Sequence, residues 1–302
     1  MAHEQFGELA ALVTAVLWTL SAVAWTSAGK YIGALAVSFL RLVLAVGLLM
    51  LFGYLSRDRA WPSDLSQFVW LMLGLSGFLG FFVSDLCLFK AFLLIGPRLS
   101  LLMTSLTPPI TVLISWACRG EGLGPRAWLG MGVTLAGVLW VVLERRDGDE
   151  HPHSRKQLRR GLILAFVAAN VQAVAMVLAK VGTLPHDPPA ALALIRVVGA
   201  VVGFTALITL LGRWRAMVLA ARQYRAMLIL TGGTIVGPTA GVTTLMIALQ
   251  TCHVGVVTTI LATIPVMILP FSIYLYRERV SFRAFGGAAV AAAGIAVLMW
   301  PG

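Results

Sequence analysis

The chain is a single apolar pattern written twice. Displaced by 157 residues against itself, it brings Pro108, Glu121, Arg126, Ala127, Gly130 and Gly137 onto Pro265, Glu278, Arg283, Ala284, Gly287 and Gly294 without a gap. In the same register Leu71, Leu73, Gly80, Leu88 and Ala91 meet Leu228, Leu230, Gly237, Leu245 and Ala248. Slightly smaller displacements pair Arg41 with Arg196 and Ala22-Val23-Ala24 with Ala173-Val174-Ala175. The period is far too long for a solenoid repeat and implies a duplicated half-molecule.

Each half is too apolar to be a soluble domain. Of 302 residues, 59% are hydrophobic and 12% charged, and the mean hydropathy is +0.91. A soluble globule carries about twice that share of charge. Runs of about 20 apolar residues cross a hydrocarbon core as helices, and these runs lack the period-two alternation of barrel strands. The expected fold is all-α, with ten transmembrane helices at 7–28, 34–55, 68–94, 97–118, 125–143, 161–181, 190–212, 226–250, 254–276 and 281–300. Five spans per half place the second copy upside down, so the duplication predicts inverted repeats around a central cavity. The division is a first repeat at 1–144, a charged linker at 145–160 and a second repeat at 161–302. The first span has no basic leader and no small-residue cleavage site, and reads as a retained helix.

The net charge of +11 comes from basic residues scattered over short loops, which fits anionic lipid headgroups and not nucleic acid. Fifteen Lys and Arg lie in the loops after the odd-numbered spans against five in the opposite loops. The positive-inside rule makes the first set cytoplasmic and both termini external. Glu144–Arg160, ERRDGDEHPHSRKQLRR, is the one long hydrophilic stretch and reads as a solvated connector. His151 and His153 lack the further ligands a metal site needs. Cys87, Cys118 and Cys252 sit in or at the ends of spans without metal or disulfide spacing, so they read as small hydrophobes. No Walker loop, dinucleotide fingerprint or nucleophile–base set occurs, so neither a cofactor nor an enzymatic activity is expected.

Charges inside the spans narrow the search for a site. Of 23 Lys and Arg and 12 Asp and Glu, only Arg41, Asp85, Lys90 and Arg196 lie within them away from the ends. Each needs a partner or a wet cavity at that depth. Arg41 and Arg196 occupy matching positions in the second helix of each half, where snorkelling or helix-end pairing competes with a binding role. Asp85 is the single acid away from a span end, central in FLGFFVSDLCLFKAF, and the other half has Val242 in its place. Asp85 is therefore a candidate for substrate or proton contact, with an arginine pair as the architectural alternative. A second polar set lies on the first helix of each half: Trp18 and Ser21, and Asn170 and Gln172, the amides being candidates for helix–helix hydrogen bonds or a wet cavity. Pro108 and Pro265 kink the fourth helix of each half near mid-membrane, where freed carbonyls need protein or water. Glycines seven apart, Gly130/Gly137 and Gly287/Gly294, give the fifth helices a close-packing face, intramolecular or at a homodimer seam.

The segment SDLCLFKAFLLIGPRLSLLMTSLTPPITVLISWACRGEGLGPRAWLGMGVTLAGVLWVV and its second-half counterpart resemble the EamA-type drug/metabolite transporter family. Its pattern of proline, glutamate thirteen residues on, then a glycine-bearing helix recurs as Pro108, Glu121, Gly130, Gly137 and as Pro265, Glu278, Gly287, Gly294. The resemblance implies a basket of helices in the inner (plasma) membrane, alternating access, and export or exchange of small metabolites such as amino acids. Family members are usually drawn with both termini inside, opposite to the charge bias here. A lipid-linked or glycolipid flippase is the alternative within transport, and an intramembrane enzyme or assembly factor the alternative outside it. Small-molecule substrate and membrane lipids are the expected partners.

Overall fold

Apolar chain in hydrocarbon satisfies its backbone polar groups internally, and a helix does so segment by segment. The computed structural model describes residues 2–120, 123–143, 154–268 and 282–299, and every regular element among them is helical. The first half contains α1 (Ala2–Ile32), α2 (Ala34–Arg57), α3 (Gln67–Gly77), a π-helical segment π1 (Phe78–Ser84), α4 (Asp85–Thr104), α5 (Thr107–Arg119) and α6 (Pro125–Leu143). The second contains α7 (Arg155–Val181), α8 (Pro189–Leu210), α9 (Trp214–Ala221), α10 (Tyr224–Thr234), π2 (Ile235–Gly241), α11 (Val242–Thr251), α12 (Val254–Leu261), α13 (Ile264–Met267) and α14 (Phe282–Met299). Among the described residues, seven helical stretches are long and apolar enough to cross a membrane: Gln5–Ile32, Ala34–Arg57, Gln67–Gly96, Leu99–Cys118, Arg155–Val181, Pro189–Leu210 and Tyr224–Thr251. Val254–Met267 and Phe285–Val297 are shorter apolar helices.

The duplication extends to backbone irregularities. The π segments at 78–84 and 235–241 stand 157 residues apart, as do the ends of α4 and α12 at Thr104 and Leu261 and the starts of α5 and α13 at Thr107 and Ile264. The expected proline kinks are full breaks. Pro108 and Pro109 occupy the first turn of α5 and Pro265 the first turn of α13, where a missing N–H removes no helical bond. Gly96 separates the third and fourth spans with φ 75°, a left-handed conformation that costs a glycine little.

Two compact units cut across the sequence halves. One, here the arginine unit, is Leu9–Phe82 with Leu178–Thr251. The other, the proline unit, is Met1–Glu8, Val83–Val177 and Cys252–Gly302. In the arginine unit α2 packs on α8, α3 on α8, and α10 and π2 on α2, so the third helix of each half lies against the second helix of the other. In the proline unit the fifth helices, α6 and α14, pack on one another. A Cβ at Gly137 would meet the Ala291 backbone, 2.7 Å from its Cα, and one at Gly294 would lie 2.7 Å from Thr134 Cα. Exchanging the halves turns the first contact into the second, as a local two-fold requires. Gly137 and Gly294 thus pack within the chain.

Two loop expectations change. Arg155–Arg160, read as linker, forms the first turns of α7, because Ser154 and Gln157 make a reciprocal cap: Gln157 N–H donates to Ser154 Oγ at 3.2 Å and Ser154 N–H to Gln157 Oε1 at 3.1 Å. The rest of that stretch, with His151 and His153, lies outside the described residues. The connection after α8 holds the short helix α9, whose Trp214 meets Phe39 of α2 edge-on at 5.7 Å.

Candidate functional site

The site in the arginine unit begins with an indole face laid into a glycine groove. Trp18, Ser21 and Trp25 recur at helical spacing on α1, while Gly233, Gly237 and Gly241 recur four apart along α10 and π2. A Cβ at Gly241 would lie 2.6 Å from Trp18 Cδ1, one at Gly237 2.6 Å from Trp25 Cζ2 and 2.7 Å from Ser21 Cβ, and one at Gly233 3.1 Å from Trp25 Cδ1. The order of contacts makes the two helices antiparallel. Small residues admit this approach where water gives no drive for association. One turn on, Thr14 and Thr244 hydroxyls share a hydrogen bond of 2.8 Å. The Trp25 indole N–H is fully covered and makes no hydrogen bond among the described residues.

Each large ring carries an arginine. Arg41 Cζ stands 4.2 Å from the Trp25 ring centroid, and Arg196 Cζ stands 4.7 Å from that of Phe81. Phe81 belongs to π1 and meets Trp18 edge-on at 6.4 Å. Two stacks result, both ending on the glycine groove: Arg41 on Trp25, and Arg196 on Phe81 on Trp18. Arg41 is 8% exposed and Arg196 0%. Both side chains are covered by protein. A charge at bilayer depth costs at least about 2.5–3.5 kcal/mol, and a cation–π contact returns about 0.5–2 kcal/mol. Ring stacking offsets part of that cost. The backbone at Arg196 is also fixed: a Cβ at Gly77 would run into the Arg196 carbonyl, and one at Gly199 into the Gly74 carbonyl.

The remaining candidates belong to the proline unit. Asp85 is half-buried at the start of α4, directly after π1, and Lys90 on the same helix is exposed. Ser84 Oγ donates to the Ala168 carbonyl of α7 at 3.0 Å. Asn170 Nδ2 donates to Phe166 O of its own helix at 2.8 Å. Gln172 is half-buried, Pro108 is buried and Pro265 half-buried. Glu121 and Glu278 lie outside the described residues. The fold thus gathers Trp18, Ser21, Arg41 and Arg196 into one cluster, and places Asp85, Lys90, Asn170, Gln172, Pro108 and Pro265 in the other unit. Trp25, Phe81 and the three groove glycines were missed from sequence. Trp25 repeats Trp18 after seven residues, and GGTIVGPTAG carries the small-residue spacing.

The profile of the EamA-like transporter family matches residues 5–143 and again 159–300. The chain belongs to the EamA-like transporter family. Among solved structures, one described as "Crystal structure of protein" aligns over 96% of this chain and 94% of its own, with a TM-score of 0.75 and 21% identity, a likeness of fold. A comparison with curated proteins returns no match. Membership in EamA makes the protein a multi-pass membrane protein of a small-molecule transporter family.

Proposed function

We propose that the protein is a secondary carrier, independent of ATP, that exports or exchanges small metabolites such as amino acids by alternating access across the inner (plasma) membrane. Its ten spans form two inverted five-helix repeats around a cavity. One observation supports this reading above others: both halves interrupt the third helix with a π segment and the fourth with a proline break, in one 157-residue register. Paired discontinuities at equivalent depth mark the substrate region of inverted-repeat carriers, and π segments concentrate at functional sites. Asp85, next to π1, meets a cationic group of the substrate or takes up the coupling proton. Pro108 and Pro265 frame the cavity, and Trp18, Ser21, Arg41 and Arg196, with Lys90, Asn170 and Gln172, are the remaining contact candidates.

Purified protein in liposomes loaded with unlabelled amino acid should accumulate labelled amino acid by counterflow without ATP. Asp85→Asn keeps shape and removes charge. Loss of pH-driven uptake with retained exchange assigns the proton role, and weaker uptake of cationic substrates alone assigns recognition. Wild-type behaviour of a correctly inserted Asp85→Asn protein removes both roles.

A further inference from the structure

The connection between α8 and α10 differs in charge from its counterpart one repeat earlier. It carries Arg213, Arg215, Arg222 and Arg225, all exposed, and no acid occurs anywhere between Asp187 and Glu278. The connection between α2 and α3, 157 residues upstream, sets Arg57 and Arg59 against Asp58 and Asp64. There Asp64 meets Arg57 at 3.6 Å and Arg59 at 3.9 Å. The earlier connection balances its own charge, whereas the later one presents four guanidiniums without an acid of its own.

Local structure fixes where those charges point. Gly212, at φ 62°, closes α8, with N–H bonds from Gly212 to Thr209 O at 3.1 Å and from Arg213 to Ile208 O at 3.0 Å. Trp214 then pins α9: its indole N–H donates to Thr209 Oγ1 at 3.1 Å while its ring rests on Phe39 of α2. Met217 and Ala220, three apart, form the buried face of α9. With 3.6 residues per turn, Arg215, Val218, Leu219 and Arg222 share the opposite face. Val218 is 51% exposed and Leu219 63%. The outward face thus sets two apolar side chains between two guanidiniums. Pro189–Leu210 and Tyr224–Thr251, both able to cross a membrane, adjoin the connection on either side and hold α9 close to the hydrocarbon boundary.

We propose that α9, with Arg213, Arg215, Arg222 and Arg225, is a docking face for the headgroups of anionic phospholipid. A short helix with an apolar middle and long basic side chains at its ends lies in a membrane interface, aliphatic groups at the acyl boundary and cations among the phosphates. Each guanidinium takes phosphate oxygens through its planar fork. The bound lipid fastens the α8–α10 connection, and with it the arginine unit, to a negatively charged leaflet. The balanced connection between α2 and α3 has no such preference. Docking of this kind requires only that the protein span a membrane, and it is independent of the carrier reading.

The test titrates full-length protein in uncharged detergent with phosphatidylglycerol, with phosphatidylcholine and with inorganic phosphate, following the unfolding temperature. A ligand that binds only the folded protein raises that temperature saturably. Phosphatidylglycerol should do so, with an apparent affinity that weakens as salt is added. Arg213→Gln, Arg215→Gln, Arg222→Gln and Arg225→Gln should each weaken that affinity about fivefold, the scale of one basic residue at an anionic surface, and the four together should abolish the response. If the combined variant fails to fold, the single replacements decide. Arg57→Gln with Arg59→Gln should leave the affinity unchanged. Val218→Ser and Leu219→Ser keep every charge and should still weaken lipid binding, because the apolar seat is lost. Equal stabilisation by phosphatidylcholine, unchanged phosphatidylglycerol affinity in the arginine variants, or the same shift with inorganic phosphate overturns the proposal. So does the absence of any shift, which would leave the face to an acidic segment of another chain.

Discussion

A hydrogen in place of a methyl at position 77 decides whether α8 reaches α3. Gly77 meets the Arg196 carbonyl and Gly199 meets the Gly74 carbonyl, whereas a Cβ on Gly74 itself would enter open space. Overpacking a close contact typically costs about 1–3 kcal/mol, and here the obstacle is backbone, which cannot rotate away. Gly77→Ala and Gly199→Ala should therefore lower the unfolding temperature in detergent and disturb Arg196, while Gly74→Ala should be neutral or mildly stabilising, as in other helix interiors. Equal behaviour of all three would mean that α3 and α8 do not cross at these residues. Asp187, in the connection between α7 and α8, offers a second residue-level test. Burial pushes its carboxyl above the usual aspartate range, and the nearby Asp64 adds to the rise. A backbone hydrogen bond at Leu184 and the neighbouring His186 oppose it. A carboxyl with a raised folded pKa is destabilising when ionised, so its effect is felt above that pKa and relieved as pH falls through it. Asp187→Asn should raise the unfolding temperature at neutral pH, with the gain shrinking on acidification. The backbone carbonyls of Leu184 and Asp187 that accept from Gln250 Nε2, both at 2.8 Å, are untouched by the change. An Asp187→Asn difference that does not vary with pH would exclude the carboxyl as its source.

Helices broken in matched places divide what a sequence reveals from what it hides. The breaks before Pro108 and Pro265 are legible because proline lacks a donor and ends the preceding helix. Replacing either proline with alanine should leave insertion intact and lower initial transport rates severalfold, since the Thr104–Thr107 and Leu261–Ile264 discontinuities would heal into helix. Normal rates in both variants would reduce the breaks to packing features. The π segments had no such marker. FLGFFVS is apolar throughout, and Phe81 stands where the second copy has Pro238, so no shared breaker announces the widened turn. Charge burial was legible in Arg41 and Arg196, because charged residues in an apolar run are rare. Their rings were not, since Trp25 and Phe81 reach them across helices remote in sequence. Asn170 was legible as a polar group in an apolar run, but its bond to the preceding turn of its own helix was not.

At the scale of the whole molecule the two sequence halves are interlocked and not side by side. Each compact unit draws helices from both repeats, the second helices pairing in one and the fifth helices in the other. Such exchange explains why a gap-free register survives: a length change between the third and fifth spans of one half would misplace its partner in the other. Interlocking also gives the connector between halves a topological meaning, because with the five spans expected before it from sequence, its side would fix the orientation of every loop. Lys and Arg in the loops after odd-numbered spans outnumber those opposite by fifteen to five, and the connector itself carries many of them. Cytoplasmic loops retain positive charge, so the connector should face the cytoplasm. The check is a single cysteine, His151→Cys, on a background in which Cys87, Cys118 and Cys252 are replaced. An impermeant maleimide added to intact cells should fail to label it and should label it fully after permeabilisation. A cysteine placed at Ser63, between α2 and α3, should show the reverse. Labelling of His151→Cys in intact cells, with Ser63→Cys protected, would invert the whole molecule without altering the number of spans, the helix packing or the arginine cluster.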